Sequence, residues 1–284
     1  MSGDMHYQNR GYQVFRGALP LDLVNALADR AREFVNYGGN VIRQNGSFSP
    51  HDFFPGTQLI RNSPANMHLP LPGEQAALSA ALRDLVSSQA LAECLKKLDG
   101  AQHYNVHQTV LFYTGQTTEM HIDSWSVDTS PHGFAHTLWI PLQDIDPNSG
   151  SVAVIPWPQG KVVTEKELGL PESGDNTERY IRYHAALNEK VLGERPEVIA
   201  TYLRRGDFVV WSSLTPHLSL ISNPFPRQRL SLQVLVVPAH QPRGTFLNQP
   251  AEWFADRTIR VNDSFSFYVP ENITAEFGIQ ADRA

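Results

Sequence analysis

Residues 102–123 read QHYNVHQTVLFYTGQTTEMHID, and this stretch decides the fold. The run from Gln102 to Tyr113 is rich in β-branched and aromatic residues, Thr114-Gly115 breaks it as a turn, and His121-Ile122-Asp123 closes the stretch. In a strand successive side chains alternate between faces, so His121 and Asp123 point the same way and set an imidazole beside a carboxylate. One more neutral nitrogen from elsewhere completes two imidazoles and one carboxylate. That is the facial triad that holds Fe(II) on one side and leaves its other positions open.

Further along, Thr137–Ile145 (TLWIPLQDI), Asp207–Trp211 (DFVVW) and Leu230–Val237 (LSLQVLVV) share this strand character, bounded by Gly, Pro, Asn and Ser. Arg205-Gly206-Asp207 reads as a turn into one of them, His217 follows it, and Arg227 and Arg229 precede the last. His217 is the candidate third ligand. The motif residues fall at strand ends or in adjoining turns, where rigid scaffolds carry functional groups. The chain is therefore expected to be mainly β with flanking helices.

A triad of this kind leaves room for a 2-oxo acid chelating through its carboxylate and keto oxygen, and for O2. The far carboxylate of such a co-substrate needs a cation, and the planar fork of arginine suits it. Arg227 and Arg229 share strand parity with Ser231, so all three can face one side. Arg229 with Ser231 offers a fork plus a hydroxyl, Arg227 offers the same in a different register, and the sequence does not choose.

The chain resembles the phytanoyl-CoA dioxygenase family of Fe(II)- and 2-oxoglutarate-dependent oxygenases, from Gln102 to Pro238. The resemblance rests on Met120-His121-Ile122-Asp123, Trp139-Ile140-Pro141-Leu142-Gln143-Asp144, Asn148-Ser149-Gly150-Ser151-Val152-Ala153-Val154-Ile155-Pro156, Gly206-Asp207-Phe208-Val209-Val210-Trp211, and His217 with Arg227 and Leu230-Ser231. It implies a double-stranded β-helix, a jelly roll of cupin type. It also implies iron on His121, Asp123 and His217, and an arginine after the distal histidine for 2-oxoglutarate. The implied reaction oxidises an unactivated C–H bond of a small or medium organic molecule, releasing succinate and CO2. Hydroxylation is its default, and Asp123 leaves no vacant ligand position for a halide. Gln108 and Thr137 have the parity to hydrogen-bond 2-oxoglutarate, and Trp139 and Phe112 that of pocket walls. Trp125 would line the substrate side.

The chain departs from the family in reading Met-His-Ile-Asp where Trp-His-Gln-Asp is frequent, and Pro156-Trp157-Pro158-Gln159-Gly160 where Pro-Gly-Ser-His is frequent. The spacing from Asn223 favours Arg229 as the co-substrate cation, whereas the spacing to Ser231 favours Arg227. The alternatives of other classes are a non-catalytic jelly-roll metal-binding or sensor protein, and a cupin metalloenzyme. The cupin enzyme would more usually offer His-x-His with a glutamate. His132 and His136 lack the glutamate of a zincin helix, and His136 is expected near the site. His103 and His107 read as structural.

The remaining features set bounds. With 284 residues and 41% hydrophobic content the chain can build one large core, expected as one oxygenase domain over 1–284. Its parts are a helical region at 1–101, a jelly-roll core at 102–240 and a lid-like insertion at 160–196. Apolar spacing predicts helices over Leu21–Asn36 and Gln75–Leu98, each stopped by glycine, with a long loop or short strands over Val41–Pro72 near the site mouth. The insertion, Gly160–Pro196, is charged and broken by Gly169, Pro171 and Gly174, with a helical piece at Tyr180–Leu192. A net charge of −6 with no basic block argues against nucleic acid as partner. The lone Cys94, expected buried, cannot form an internal disulfide, and no apolar run approaches a membrane span or a secretory core. A cytoplasmic location is expected, with small-molecule and O2 partners and the oligomeric state open between monomer and homodimer.

Overall fold

Leu230, Leu232, Val234 and Val236 alternate with Arg229, Ser231, Gln233 and Leu235, giving one strand an apolar face and a mixed one. The computed structural model describes residues 4–115, 118–146, 149–220, 227–244, 257–277 and 279. In it this strand, β12 (Arg227–Pro238), lies at the centre of a seven-stranded sheet. The order is β1 (Tyr12–Phe15), β10 (Phe208–Ser212), β7 (His136–Pro141), β12, β4 (Tyr104–Gly115), β15 (Phe265–Tyr268) and β14 (Thr258–Arg260). β15 runs parallel to β4, and the other pairings in this sheet are antiparallel. A four-stranded sheet faces it, ordered β5 (Thr118–His121), β11 (His217–Leu220), β8 (Ser151–Val154) and β9 (Ile199–Ala200). Short ribbons pair β2 (Val41–Ile42) with β3 (Phe48–Ser49), and β6 (Asp128–Thr129) with β13 (Arg243–Gly244). Two facing sheets with flanking helices make the double-stranded β-helix that the family resemblance implies. Asn223, the turn residues Pro147-Asn148 and the rest of 221–226 lie outside the described residues.

The apolar face of the large sheet is covered by α1 (Met5–Arg10), α2 (Leu21–Phe34), α3 (Ala76–Val86), α4 (Gln89–Asp99) and α6 (Glu271–Phe277). Leu27, Leu82 and Leu95 from the helices meet Leu138, Leu232 and Val234 from the strands in one buried cluster. Cys94 lies in that cluster, and burial pushes its thiol up. The expected Gln75–Leu98 helix is two helices. The apolar spacing lapses between Leu85 and Leu91, and there Ser88 adopts extended backbone and its hydroxyl caps the Leu91 N–H, starting a new helix. Within the expected loop at 41–72, β2 and β3 form a hairpin.

The insertion is not a structureless loop. Its helix, α5 (Asn176–Gly193), buries Tyr183, Leu187 and Val191 against Met120, Ile122, Trp125 and Trp157, on the flank of β5. Among the described residues no helix is long and apolar enough to cross a membrane.

His136 corrects one expectation. On β7, Thr137 and Trp139 face the cavity between the sheets, so His136 faces the helices. Its Nδ1 lies 2.7 Å from the Tyr7 hydroxyl and its Nε2 2.7 Å from Asp99 Oδ2. Asp99 also accepts from Tyr104 at 2.6 Å and the Ala101 N–H at 2.8 Å. Burial raises the Asp99 carboxyl, but its bonds to His136, Tyr104 and Ala101 outweigh burial and hold it below its ordinary value. A depressed folded value contributes stability above the unfolded value of about 4, lost as pH falls through the folded value. His136→Ala leaves Tyr7 and Asp99 underpaired and is expected to cost roughly 2–3 kcal/mol, read by urea unfolding at pH 7. Asp99→Asn should flatten the acid limb of stability against pH. An unchanged midpoint in the first, or an unchanged limb in the second, would show that this network does not hold α1 and α4 to the sheet.

Candidate metal centre

The second sheet brings the ligand candidates together by register. His217 opens β11 and pairs directly with His121, which closes β5. Their ring centroids lie 4.2 Å apart. Asp123 sits in the one-turn helix that follows, Asp123–Trp125. One ligand atom each from His121, Asp123 and His217 fall within 4.8 Å of one another, a set that can hold a metal ion.

Hydrogen bonds fix which atoms face that point. His121 Nδ1 lies 2.9 Å from the Glu119 carbonyl and His217 Nδ1 3.0 Å from the Thr215 carbonyl. A carbonyl only accepts, so in both rings Nδ1 carries the proton and Nε2 keeps its lone pair for a metal. His217 Nε2 is 3.7 Å from Asp123 Oδ2, and His121 Nε2 is 4.0 Å from Oδ1. Asp123 Oδ2 accepts from the Thr137 hydroxyl at 2.6 Å and the Trp211 indole N–H at 3.0 Å. Burial pushes the His217 imidazole down to about 4, so it is neutral near pH 7, as a ligand must be. Burial raises Asp123, but His217, His121 and the bonds from Thr137 and Trp211 outweigh it and keep the carboxylate ionised.

The triad lines a cavity of about 210 Å³ between the sheets, with Phe112, Trp139, Trp211 and Arg229 among its other walls. Arg229 is 5% exposed. Its guanidinium donates to the Gly150 carbonyl and lies 3.3 Å from Ser219 Oγ, over the rings of Trp139 and Phe112. It has no carboxylate among these partners, and burial lowers it to about 10. Its Nε and the hydroxyl of Ser231, on the same face of β12, are buried with no hydrogen-bond partner among the described residues. Arg227 lies at the exposed strand end, 3.5 Å from Asp146. Nearby, Arg61 pairs with Asp52, and Arg43 is spent on Ser49 and the Asn62 carbonyl.

The other sequence candidates separate. Thr137 reaches the cavity side but holds Asp123. Gln108 is not among the lining residues and donates to the Gln44 carbonyl at 3.2 Å. Trp125 is buried in the cluster under α5, its indole donating to Asn176, and does not line the cavity. His103 bonds to Asp263 and Ser266, and His107 stacks on Tyr268, both structural. Sequence reasoning missed Trp211, Gln233, Thr118 and Gln44 as lining residues. It also missed His184 of α5, whose Nδ1 donates to the Tyr180 carbonyl and whose Nε2 accepts from the Ile122 N–H at 3.4 Å, between two ligands. The parity of LSLQVLVV offered Gln233; nothing in the sequence signalled His184.

The model of the phytanoyl-CoA dioxygenase (PhyH) family matches residues 7–227. The chain belongs to this family. It is an enzyme of the dioxygenase type. No curated protein matches it in sequence. Among solved structures it is similar to EctD from S. alaskensis with 2-oxoglutarate and 5-hydroxyectoine, at 19% identity and TM-score 0.56 over 88% of this chain and 80% of that one. It is also similar to the non-heme α-ketoglutarate-dependent carbocyclase SnoK of nogalamycin biosynthesis, at 18% identity and TM-score 0.55 over 84% and 83%. The epimerase SnoN of the same biosynthesis gives 17% identity and TM-score 0.53 over 87% and 84%. At these identities the likeness speaks for the fold. The phytanoyl-CoA dioxygenase match reaches further toward the N-terminus than the motifs from Gln102 onward, taking in β1, which pairs with β10.

Proposed function

We propose that this phytanoyl-CoA dioxygenase family member is an Fe(II)- and 2-oxoglutarate-dependent dioxygenase that hydroxylates an unactivated C–H bond of a small or medium organic molecule. The observation that carries the reading is Arg229, a buried cation without a carboxylate partner among the described residues, in the same cavity as two imidazoles and a carboxylate. A buried charge is costly unless paired, so the cavity suits an anion that reaches both the metal point and Arg229. A 2-oxo dicarboxylate has that chemistry. EctD, SnoK and SnoN carry it, or depend on it, by their descriptions.

The roles then divide as follows. His121, Asp123 and His217 would hold Fe(II). Arg229 and Ser231 would take the far carboxylate, the fork through two parallel bonds and the hydroxyl through a third. Trp139 and Phe112 would flank the co-substrate and keep water from the Arg229 pair, which strengthens it. Thr137 and Trp211 hold Asp123 in one rotamer with one oxygen free. Bound Fe(II) with 2-oxoglutarate and O2 supplies oxidative decarboxylation coupled to attack on a C–H bond. Arg227, paired with Asp146 in solvent, has no part in this. The segment 160–196 would flank the site from β5, its His184 ring centroid 6.5 Å from that of His121. We place the protein in the cytoplasm, on its lone unpaired cysteine.

The test is succinate formed from 2-oxoglutarate under air, with and without Fe(II). Iron-dependent succinate, raised by a competent substrate, is the expected result. No succinate from protein shown to bind both iron and 2-oxoglutarate would leave the non-catalytic sensor reading in its place.

A further inference from the structure

Asp128 is fully buried, with 0% exposure, and hydrogen-bonds none of the three ligand side chains. Its Oδ1 accepts from the Thr129 N–H at 2.8 Å, the Gly133 N–H at 2.8 Å and the Ser213 hydroxyl at 2.7 Å. Its Oδ2 accepts from the Ser124 hydroxyl and lies 3.2 Å from His132 Nδ1. The identity of two of these donors matters. Ser124 directly follows the ligand Asp123. Ser213 lies on the connection from β10 to β11, which ends at the ligand His217. The Ser124 N–H also donates to the Ser213 carbonyl at 2.9 Å, so the two arms are joined twice. The same connection carries Thr215, whose carbonyl sets the His217 tautomer.

We propose that Asp128 is a positioning residue of the metal centre. It clamps the arm bearing Asp123 to the arm bearing His217, so the ligand atoms are held at binding distance before a metal arrives. This rests on the metal-centre reading above. A carboxylate buried among donors from both arms fixes their separation, because each bond lost leaves a buried donor or charge unpaired. The same carboxylate in a purely structural role would hold any two loops. Here it holds the two that supply the ligands.

The experiment measures Co(II), as an Fe(II) surrogate, by chelator competition and by its visible absorption, in wild type, Asp128→Asn, Ser213→Ala and the control His136→Ala. Asp128→Asn places an amide N–H₂ against donors on one side. It is expected to weaken Co(II) binding by roughly 10–100-fold, the range seen when groups behind metal ligands are removed, and to shift the absorption bands. Ser213→Ala removes one donor and should move both readouts the same way by less. His136→Ala lowers thermal stability by removing a side chain that faces the helices, away from both arms, and should leave Co(II) affinity and spectrum at wild-type values. Wild-type affinity and bands in Asp128→Asn, whatever its melting temperature, would make Asp128 a fold residue and overturn the proposal. Should Asp128→Asn not fold, Ser213→Ala decides by the same criterion. Wild type that takes up no Co(II) would instead overturn the metal-centre reading, and the role of Asp128 with it.

Discussion

His217→Ala is expected to abolish iron-dependent succinate formation and to weaken metal binding by more than about 100-fold, since loss of groups behind the ligands already costs 10–100-fold. The geometry gives the reason. The three ligand atoms converge within 4.8 Å, with both Nδ1 positions committed to carbonyls, so no other atom of these rings can turn in to replace a lost ligand. His121→Ala should have the same effect from the more open side of the site. Asp123→Gly differs. It frees a further position while the two imidazoles stay, so some metal should remain bound and hydroxylation should be lost. Isothermal titration with Fe(II) under argon, paired with succinate assays and thermal melts, separates these results from misfolding. If His121→Ala and His217→Ala both kept wild-type affinity and rate, the triad assignment would be wrong.

How far the site was legible depended on whether its contacts were local in strand parity. His121 and Asp123 are two apart, and parity alone put them on one face. Parity could not separate Arg227 from Arg229, because both share it with Ser231. The difference lies in what covers each: Arg229 sits beneath the Gly150 carbonyl, while Arg227 lies beyond the cover, beside Asp146. Gln108 does keep the parity of the lining residue Phe112, but it lies four residues further along β4 and its amide is turned to the Gln44 carbonyl. Trp211 ends the strand-like run DFVVW, where a buried core residue is the ordinary outcome. It is one, and its indole also holds Asp123, a contact across 88 positions that no local pattern encodes. The break between α3 and α4 is the opposite case. The apolar stripe leaves a six-residue gap from Leu85 to Leu91, and reading one helix across it passed over the cue of Ser88 as a cap. The strands were legible because each long one carries its alternation on its own, whereas the jelly roll that joins them came only from the family resemblance. The helix α5 was legible as a helix, but its seat on β5 depends on partners distant in sequence, Met120 and Ile122.

Arg229→Met should raise the stability of the free protein slightly and destroy its response to 2-oxoglutarate. In the free state Arg229 is a buried cation with no carboxylate among its described partners, held at about 10 by desolvation and serving one carbonyl and one serine. Replacing a buried charge with an apolar side chain of similar volume is often neutral or stabilising. In the bound state the same cation would meet a carboxylate, and losing a hydrogen bond to a charged group costs about 1.5–3 kcal/mol. That is a rise in the apparent Kd for 2-oxoglutarate of roughly 10- to 150-fold, at 1.4 kcal/mol per decade. Arg229→Lys should recover little, because an ammonium cannot reproduce the fork. Arg227→Ala should change affinity less than about twofold, since its pair with Asp146 is half in solvent and such pairs are worth about 0–1 kcal/mol. The readout is the shift in melting temperature on adding 2-oxoglutarate with a redox-inert divalent metal, which grows with ligand concentration over Kd. It needs no substrate and no turnover. A wild-type shift in Arg229→Met, or a lost shift in Arg227→Ala, would move the co-substrate to the exposed end of β12. The buried charge of Arg229 would then need another anion to explain it.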